Sequence, residues 1–501
     1  MIFHRVFRDS SYWAACLLLS ACAVGPDYVR PDVNLSSQFK EMRDFCAEKS
    51  AQQIASAAAD AQIKFSDNCS ANVWKLAQPQ DILAGDHWWR AYGDEVLNQL
   101  MNQLEIDNQN LQVAQAQYQQ AQALVQQSRA SFFPTLSTNA GYTTKSTSNT
   151  ATSTPSTRAS AYNVQLQAAW EIDLWGRVRR TVEANQATAQ ASYANIAAVK
   201  LSARVALAQN YFQLRIIDLQ KQYAQASIGD YARTLDITKN KYHGGLAQLA
   251  DVRSAEVQLG SAQVTATDLD GQRAQLEHAI AVLVGANPSS FNLAPLPDWR
   301  ARMPGVPNLL PMALLERRPD VAAAERNVAA ANARIGIAQS AYFPNLNFSA
   351  VVGYENTLFT QLLRAPSLFW SLGPTLALTL FDGGARAAQV MQSKANYDQL
   401  IASYRQTVLT AIQGVEDNLA VLRVLAEESR SQSANVSAAR QAAELTLNQY
   451  RSGMVDYSRV ALAQISANSS QSTLLSLLGR QYLTHVALIA ALGGSFAGDR
   501  Q

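Results

Sequence analysis

The stretch NVQLQAAWEIDL, residues 163–174, alternates apolar and polar side chains with a strict period of two. Successive side chains of a β-strand point to opposite faces, so the stretch predicts a strand with one apolar and one polar face. Its polar series includes Gln165, Gln167, Glu171 and Asp173. A strand is also predicted just before it, joined by a Ser/Thr/Asn-rich loop over residues 143–160, with an apolar face of Leu136, Thr138, Ala140 and Tyr142.

The same plan recurs about 210 residues later in the chain. Phe133-Pro134 is echoed by Phe343-Pro344, and glycines and tyrosines recur in the pairs Gly176 and Gly384, Tyr242 and Tyr450, Gly245 and Gly453, and Gly285 and Gly493. The second copy again has two alternating stretches, with apolar residues Leu346, Phe348, Ala350, Val352 and Tyr354, then Trp370, Leu372, Pro374, Leu376, Leu378 and Leu380. A repeat this long is one structural unit used twice, predicted over residues 95–290 and 305–497, after an N-terminal segment of residues 22–94.

Long helices separate the strand pairs. Apolar residues at helical spacing predict a helix over residues 95–130. Stretches without proline and with only isolated glycine predict long helices over about 177–241 and about 385–451, with shorter helices over 247–284 and 456–491. A helix of about 65 residues is roughly 100 Å long. The turns that end the two long helices contain Gly244, Gly245 and Gly453, and glycine there can adopt the left-handed cap conformation. Helices of this length need a coiled-coil-like assembly rather than a monomeric core.

Strands that are apolar on one face, polar on the other and about ten residues long are typical of outer-membrane barrels. A soluble sandwich with one buried face is the alternative interpretation. Four strands cannot close a membrane barrel, and an open edge is unstable in hydrocarbon. We therefore expect a barrel shared between chains, about twelve strands for three copies, with Gln165, Gln167, Glu171 and Asp173 facing the lumen. After residue 21 the sequence has no run of 18 apolar residues, so no helix is predicted to span a bilayer.

The N-terminus predicts an export signal over residues 1–21. Arg5 and Arg8 precede a short apolar stretch, and Leu19-Ser20-Ala21-Cys22 follows. This tetrapeptide resembles a bacterial lipobox, which implies lipidation of Cys22; ordinary signal cleavage near Ala21 or Ala23 is the alternative. Ala23, rather than Asp, favours sorting to the outer membrane. A single lipid anchor binds a membrane weakly, so we expect the strands to contribute to anchoring.

Two other cysteines remain in the exported chain, Cys46 and Cys69, within an Ala/Ser/Asp-rich stretch. Disulfides form in the oxidising compartments that exported proteins reach, so a bond that closes this loop is one hypothesis. Two free thiols in a loose insert are the other.

These residues together resemble the outer-membrane factor family, in its lipoprotein (NodT-type) branch. The resemblance begins at the start of the lipidated chain, Cys22-Ala23-Val24-Gly25-Pro26-Asp27-Tyr28. It continues at the corners between helices and strands, which are Phe132-Phe133-Pro134 and Tyr342-Phe343-Pro344 before the strands and Asp173-Leu174-Trp175-Gly176-Arg177 and Phe381-Asp382-Gly383-Gly384 after them. It also includes the periplasmic tips, the turns that end the long helices, Tyr242-His243-Gly244-Gly245 and Gln449-Tyr450-Arg451-Ser452-Gly453. The resemblance implies a mixed α/β membrane protein: a homotrimer with a 12-stranded β-barrel continuous with a 12-helix periplasmic α-barrel. It also implies partners, a periplasmic membrane-fusion adaptor docking at the tips and an inner-membrane RND-type transporter.

The sequence departs from the family pattern in two places. The stretch of about residues 37–73 is longer than the usual N-terminal segment, and Leu462 stands where the family often has an acidic residue that narrows the closed end. The charged residues left near the tips are Asp251, Asp456 and Arg459. Contacts between them that hold the pore closed are one hypothesis, and solvated charges at helix ends are the other.

Composition and motifs argue against other functions. The formal net charge of +2 does not favour nucleic-acid binding. The five histidines have no ligand partner at helical spacing and no phosphate-binding glycine loop occurs, so we expect no metal, no cofactor and no enzyme activity. The favoured function is an outer-membrane exit duct for small toxic compounds in a tripartite efflux pump. The alternatives are a type I protein-secretion duct and, in a different class, a trimeric surface adhesin.

Overall fold

The structure is a computed structural model that describes residues 23–33, 39–41, 87–147, 157–296, 299–300, 302–305 and 318–494. After a short 3₁₀ turn, Trp88–Tyr92, come α1 (Glu95–Asp107), α2 (Gln109–Ala130), β1 (Thr135–Thr147), β2 (Thr157–Ile172), α3 (Arg177–His243) and α4 (Leu249–Leu283). The chain continues with α5 (Pro319–Ser340), β3 (Asn345–Asn356), β4 (Leu368–Ala377), α6 (Ala385–Arg451) and α7 (Tyr457–Ala491). Helix, two strands, long helix and shorter helix thus occur twice in order.

The long and shorter helices have equal lengths in the two copies. Helices α3 and α6 each contain 67 residues, about 100 Å at the rise of an α-helix. Helices α4 and α7 each contain 35 residues. The long helices predicted from the sequence are confirmed to within two or three residues at each end.

The chain divides into two compact units, and each takes segments from both copies. The first comprises Met1–Asp32, Ala116–Tyr193 and Ala323–Arg405, and the second comprises Val33–Gln115, Ala194–Ala322 and Gln406–Gln501.

The first unit contains a four-stranded antiparallel sheet in the order β1-β2-β3-β4. Leu166 lies opposite Thr138 on one side and Val352 on the other, and Val352 in turn lies opposite Trp370. Residues directly opposite each other share a face of a sheet. The register therefore brings the apolar series of all four strands onto one face.

Alanines pack the helical part of the first unit. Ala121 and Val125 of α2 contact Ala189 of α3, and Ala187 of α3 lies in a second cluster with Ala329 and Ala330 of α5. Small side chains let helix backbones approach closely, which agrees with the alanine-rich sequence. Pro319 is the first residue of α5, a position where its missing N–H costs nothing.

The second unit contains the larger hydrophobic core. Trp88, Trp89 and Tyr92 of the 3₁₀ turn are buried with α1, α3, α4 and α7 residues, among them Leu97, Met101, Tyr211, Phe212, Ile280, Tyr482 and Val486. Seven of the 21 buried residues of this core are aromatic, and Phe212 stacks on Tyr482 at a centroid distance of 5.0 Å. Aromatic pairs of this kind add stability beyond the area they bury.

The single helix predicted over residues 95–130 is wrong, because the chain breaks at Asn108. This residue has φ −65° and ψ 117°, outside the helical region. Its side chain accepts a hydrogen bond from Leu111 N at 3.0 Å and donates one to Leu283 O at 2.7 Å. An asparagine that caps the next helix and bonds a distant carbonyl competes with helix continuation.

The strands also differ from the prediction at their ends. β1 and β2 extend to Thr147 and from Thr157, into the stretch predicted as loop, because threonine suits strands. β4 ends at Ala377, so Leu378 and Leu380 lie beyond the strand to whose face they were assigned. Among the described residues, helix α7 contains an 18-residue stretch whose mean hydropathy, 1.2, reaches that of a bilayer-spanning helix, and half of that stretch is buried inside the protein.

Candidate functional site

The apolar face of the sheet has exposed side chains on all four strands. Trp370 of β4 is 73% exposed, and Leu136, Leu166, Val352, Leu372 and Leu376 are exposed as well. Each has an even residue number and lies on the face that the register makes continuous. Soluble proteins rarely expose so large a contiguous apolar patch, so this face needs an apolar environment.

The opposite face of the sheet is polar and almost uncharged. Gln165 and Gln167 of β2 lie on it, opposite Asn139 and Ser137 of β1. Glu171 lies on the same face near the end of β2, and Arg177 Nε donates to its Oε1 at 2.7 Å. This hydrogen bond raises the pKa of Arg177. The face thus consists mainly of amide and hydroxyl groups, with Lys145, Glu171 and Glu355 as its charged residues, and it suits contact with water.

Asp173 lies one residue past the end of β2, and its carboxylate caps α3. Oδ1 accepts from Val178 N at 3.1 Å and Oδ2 from Arg179 N at 2.9 Å. The second copy has the same corner, where Asp382 accepts from Gly384 N and Arg386 N and bonds Arg386 Nε at 2.6 Å. Those hydrogen bonds, above all that from the Arg386 side chain, lower the pKa of Asp382. Each long helix therefore begins at a carboxylate-capped corner, as the helix dipole favours.

Strands β1 and β4 form the two edges of the sheet and, among the described residues, each pairs with a strand on one side only. An edge strand presents a row of unpaired N–H and C=O groups. The sheet therefore offers two pairing edges beside an exposed apolar face.

The two helix tips have the same backbone geometry. Gly245 has φ +74° and Gly453 has φ +81°, a conformation that glycine adopts at little cost. Leu246 N donates to Lys241 O at 2.7 Å, and Met454 N donates to Gln449 O at 2.9 Å, the six-residue bond of a Schellman cap. Gly244, the third tip glycine of the prediction, has no positive φ.

Both tips also present exposed apolar residues. Leu246 is 79% exposed and Met454 is 71% exposed. Behind the tips, Leu235 and Val252 pack with Tyr450, Tyr457 and Val460. Within one chain, the helical hairpin of the first repeat therefore contacts the helical hairpin of the second. Lys241 lies 4.3 Å from the Tyr450 ring centroid and its Nζ donates to Tyr450 O. Burial raises the pKa of Tyr457 to about 12. The tips thus form one packed platform.

The structure does not join the three charged residues proposed for a gate. Asp251 forms a capping box at the start of α4, accepting from Gln248 N at 3.1 Å. Asp456 is the N-cap residue of α7, and Arg459 follows in the first turn. In the described part of the chain, no ion pair links Arg459 to Asp251 or Asp456. A gate built from these residues would therefore need contacts between separate chains of an assembly.

A row of buried and partly buried polar contacts, which the sequence analysis did not predict, runs from α3 to α7. Gln464 Nε2 donates to Thr234 Oγ1 at 2.9 Å, and Asn468 bonds the hydroxyls of Tyr231, Tyr223 and Ser227. The signal was present in α3, where Tyr223, Ser227, Tyr231, Thr234 and Thr238 recur at steps of three or four. The row fixes how α3 and α7 align along their length.

Cys22, Cys46 and Cys69 lie outside the described residues, so the lipidation and disulfide hypotheses remain predictions. Within the described ranges, no group of three or more His, Cys, Asp or Glu side chains lies close enough to hold a metal ion.

Comparison with known proteins gives consistent matches along the chain. The model of the family described as outer membrane efflux protein matches residues 100–286 and 310–494. The toluene efflux pump outer membrane protein TtgC of Pseudomonas putida is 26% identical over 482 residues, 96% of this chain and 94% of that protein. Nodulation protein T of Rhizobium leguminosarum bv. viciae is 28% identical over 491 residues, 97% of this chain and 93% of that protein. The solved structure of the outer-membrane channel OprN aligns with a TM-score of 0.81 and 27% identity, over 95% of this chain and 99% of that one.

Proposed function

The chain belongs to the outer membrane efflux protein family, and on that basis we propose that it is the exit duct of a tripartite efflux pump. As a member of this family, the protein is an outer-membrane channel for efflux. We further propose how copies of the chain assemble, which partners they bind and what they transport.

The observation that carries the proposal is the sheet with an exposed apolar face and two unpaired edges. In a bilayer, unpaired edges are forbidden, so spanning sheets must close into barrels. Four strands are too few, since about eight is the observed minimum. Three copies joined β1 to β4 would form a closed barrel of about twelve strands, with the apolar face toward lipid. Gln165, Gln167 and Glu171 would then face the aqueous lumen, whereas Asp173, predicted with them, lies past the strand and caps α3.

The long helices would continue this conduit into the periplasm. Three copies of α3, α4, α6 and α7, aided by the shorter helices, would enclose a 12-helix tunnel about as long as α3, roughly 100 Å. The polar row between α3 and α7 supports alignment within each copy.

The tips are the proposed docking site for a periplasmic membrane-fusion adaptor, which would connect the duct to an inner-membrane RND-type transporter. The platform around Gly244, Gly245 and Gly453 supports this assignment, because it exposes Leu246 and Met454 beside hydrogen-bonded turns. Exposed apolar residues on a rigid base are typical of protein interaction sites. Asp251, Asp456 and Arg459 near the tips are the proposed closing contacts between copies.

Small toxic compounds are the proposed cargo. Relatives named for pumping toluene and antibiotics support this class. The near-neutral polar face of the sheet also suits it, because it offers hydrogen bonds without a strong field for ions of one sign. Lipidation of Cys22 would give the duct a second attachment to the outer membrane besides the barrel.

The test is retention of a lipophilic fluorescent dye in cells that lack this chain, compared with the parent strain. We expect higher retention, reversed when the intact gene is restored. Unchanged retention would contradict a small-molecule duct. In that case, proteins missing from the culture supernatant would indicate a protein-secretion duct.

A further inference from the structure

Residues 23–30, the segment that begins directly after Cys22, lie docked on the first unit. Val24 N donates to Trp175 O at 3.0 Å, at the corner where β2 turns into α3. Asn332 Nδ2 of α5 donates to Pro26 O at 2.9 Å, and Tyr28 donates its hydroxyl proton to Glu325 Oε1 at 2.6 Å. The segment is therefore bound at its start, middle and end.

Arg180 of α3 is the central contact of this segment. Its side chain is 8% exposed, and its guanidinium donates to Val24 O at 3.4 Å, to Gly25 O at 3.3 Å and to the Asp27 carboxylate at 3.1 Å. Glu183 accepts from the same group at 2.8 Å. A buried guanidinium needs partners for its donors, and here the segment supplies three of them.

Two glycines set how closely the segment approaches α5. Gly25 has φ +113°, and a Cβ on it would lie 2.5 Å from Gly336 Cα. A Cβ on Gly336 would lie 2.8 Å from Val24 O. At the corner, a Cβ on Gly176 would come within 3.1 Å of Ala23 Cα. Any side chain at Gly25 or Gly336 would push the segment away from α5.

We propose that residues 23–30, held by Arg180, Asn332, Glu325 and Gly336, form an anchor clamp that fixes the lipidated N-terminus beside the Trp175–Gly176 corner. Arg180 and Gly336 are its positioning residues. The proposal rests on the lipidation of Cys22 in the proposed function. Cys22 directly precedes Ala23, so the acyl chains would enter the membrane next to the base of the sheet.

The clamp gives the two membrane attachments, the acyl chains and the sheet, a fixed geometry. A tethered group binds best when its link holds it at the right distance, because the tether sets its effective concentration. A docked segment also has less conformational freedom to lose when the lipid inserts. The clamp would therefore let acyl chains and sheet enter the same leaflet together.

The first test is a pair of glycine substitutions in full-length protein in membranes. Gly336→Ala places a Cβ against Val24 O, whereas Gly271→Ala, also inside a helix, meets nothing within 4 Å. Chymotrypsin cleavage after Tyr28 reports undocking of the segment, and cleavage after Tyr242 at the tip is the internal reference. We expect cleavage after Tyr28 to become about tenfold faster in Gly336→Ala only, since proteolysis follows the population of the opened state.

A second variant, Gly25→Ala, keeps this test decisive if Gly336→Ala disturbs α5 itself. It changes the segment rather than the helix, and its strained φ should release Tyr28 to the same extent. Equal cleavage after Tyr28 in the native protein and in both variants would overturn the clamp.

The second test locates the lipid. Cells are fed a photoactivatable palmitate, and the acylated protein is irradiated in its membrane and digested for mass spectrometry. We expect cross-links from the Cys22 acyl chains to peptides containing Trp170 to Arg177, and we expect Gly336→Ala to lose them. Label on Cys22 without enrichment at this corner would overturn the clamp alone, whereas absence of label would overturn the lipidation together with it.

Discussion

His485 is buried in the core of the second unit, where the Tyr92 hydroxyl lies 2.6 Å from its Nδ1. Burial lowers its pKa from 6.5 to about 4. As pH falls, the unfolded chain therefore takes up a proton before the folded one. Stability is complete above about pH 6.5 and decreases down to about pH 4, by about 3 kcal/mol in total.

This shift predicts that His485→Gln makes the protein less sensitive to acid, although it costs some stability at neutral pH. The neighbouring Tyr482, whose pKa burial raises to about 12, does not titrate in this range. The measurement is the denaturant midpoint of the detergent-solubilised protein at pH 7.5 and 4.5. An equal acid-induced loss in the native protein and the variant would show that another group is responsible.

Asp173 gives a second prediction at this scale, because its carboxylate satisfies two N–H groups at the start of α3. Asp173→Ala should lower the free energy of unfolding by about 1–2 kcal/mol. Asp173→Asn keeps an acceptor oxygen and should lose less. Thermal unfolding of the three proteins measures the order, and an alanine variant as stable as the native protein would contradict the capping role.

At the scale of single elements, β4 offers neighbouring residues on opposite faces. Leu372 belongs to the exposed apolar face and Ser371 to the polar one. An arginine on the lipid face near the middle of a bilayer costs about 2–4 kcal/mol, whereas one in the lumen stays hydrated. We expect Leu372→Arg to reduce assembly in the outer membrane and restoration of dye efflux, and Ser371→Arg to retain both. The reverse order would assign the faces the other way round.

The tip turns give another matched pair. Gly245 has φ +74°, while Gly244 has no positive φ and a Cβ on it would make only ordinary contacts, at 3.5 Å or more. A side chain in the left-handed region costs about 1–2 kcal/mol. Gly245→Ala should therefore distort the platform and reduce efflux, and Gly244→Ala should not. If both variants are present in the membrane in equal amounts and support equal efflux, the turn geometry at Gly245 is not needed for docking.

Some elements could be predicted from the sequence because their cause is local. The alternation in residues 163–174 indicates β2, since each face meets a different environment, and the absence of proline and clustered glycine in residues 177–241 indicates α3. The break at Asn108 could not be predicted from the sequence, because it depends on a hydrogen bond to Leu283 O, 175 residues away. The Gly25–Gly336 contact likewise joins segments whose proximity no local pattern records.

At the scale of the whole molecule, the sheet of a single chain has strand edges and an apolar face that an assembly in the membrane would cover. Within the described residues, β1 and β4 each lack a partner on one side, and the apolar face between them is exposed. Pairing β1 of one copy with β4 of the next would remove both edges and give the apolar face a continuous lipid contact. In the proposed trimer, closure of the barrel, rather than the stability of one chain, would make the sheet a membrane structure.

The most direct test of this account is the number of copies in the complex, counted by native mass spectrometry after extraction from the outer membrane in mild detergent. We expect three copies, and Leu372→Arg should reduce the trimer while Ser371→Arg leaves it intact. A membrane-inserted protein that is active in efflux yet contains one or two copies would contradict the shared twelve-stranded barrel.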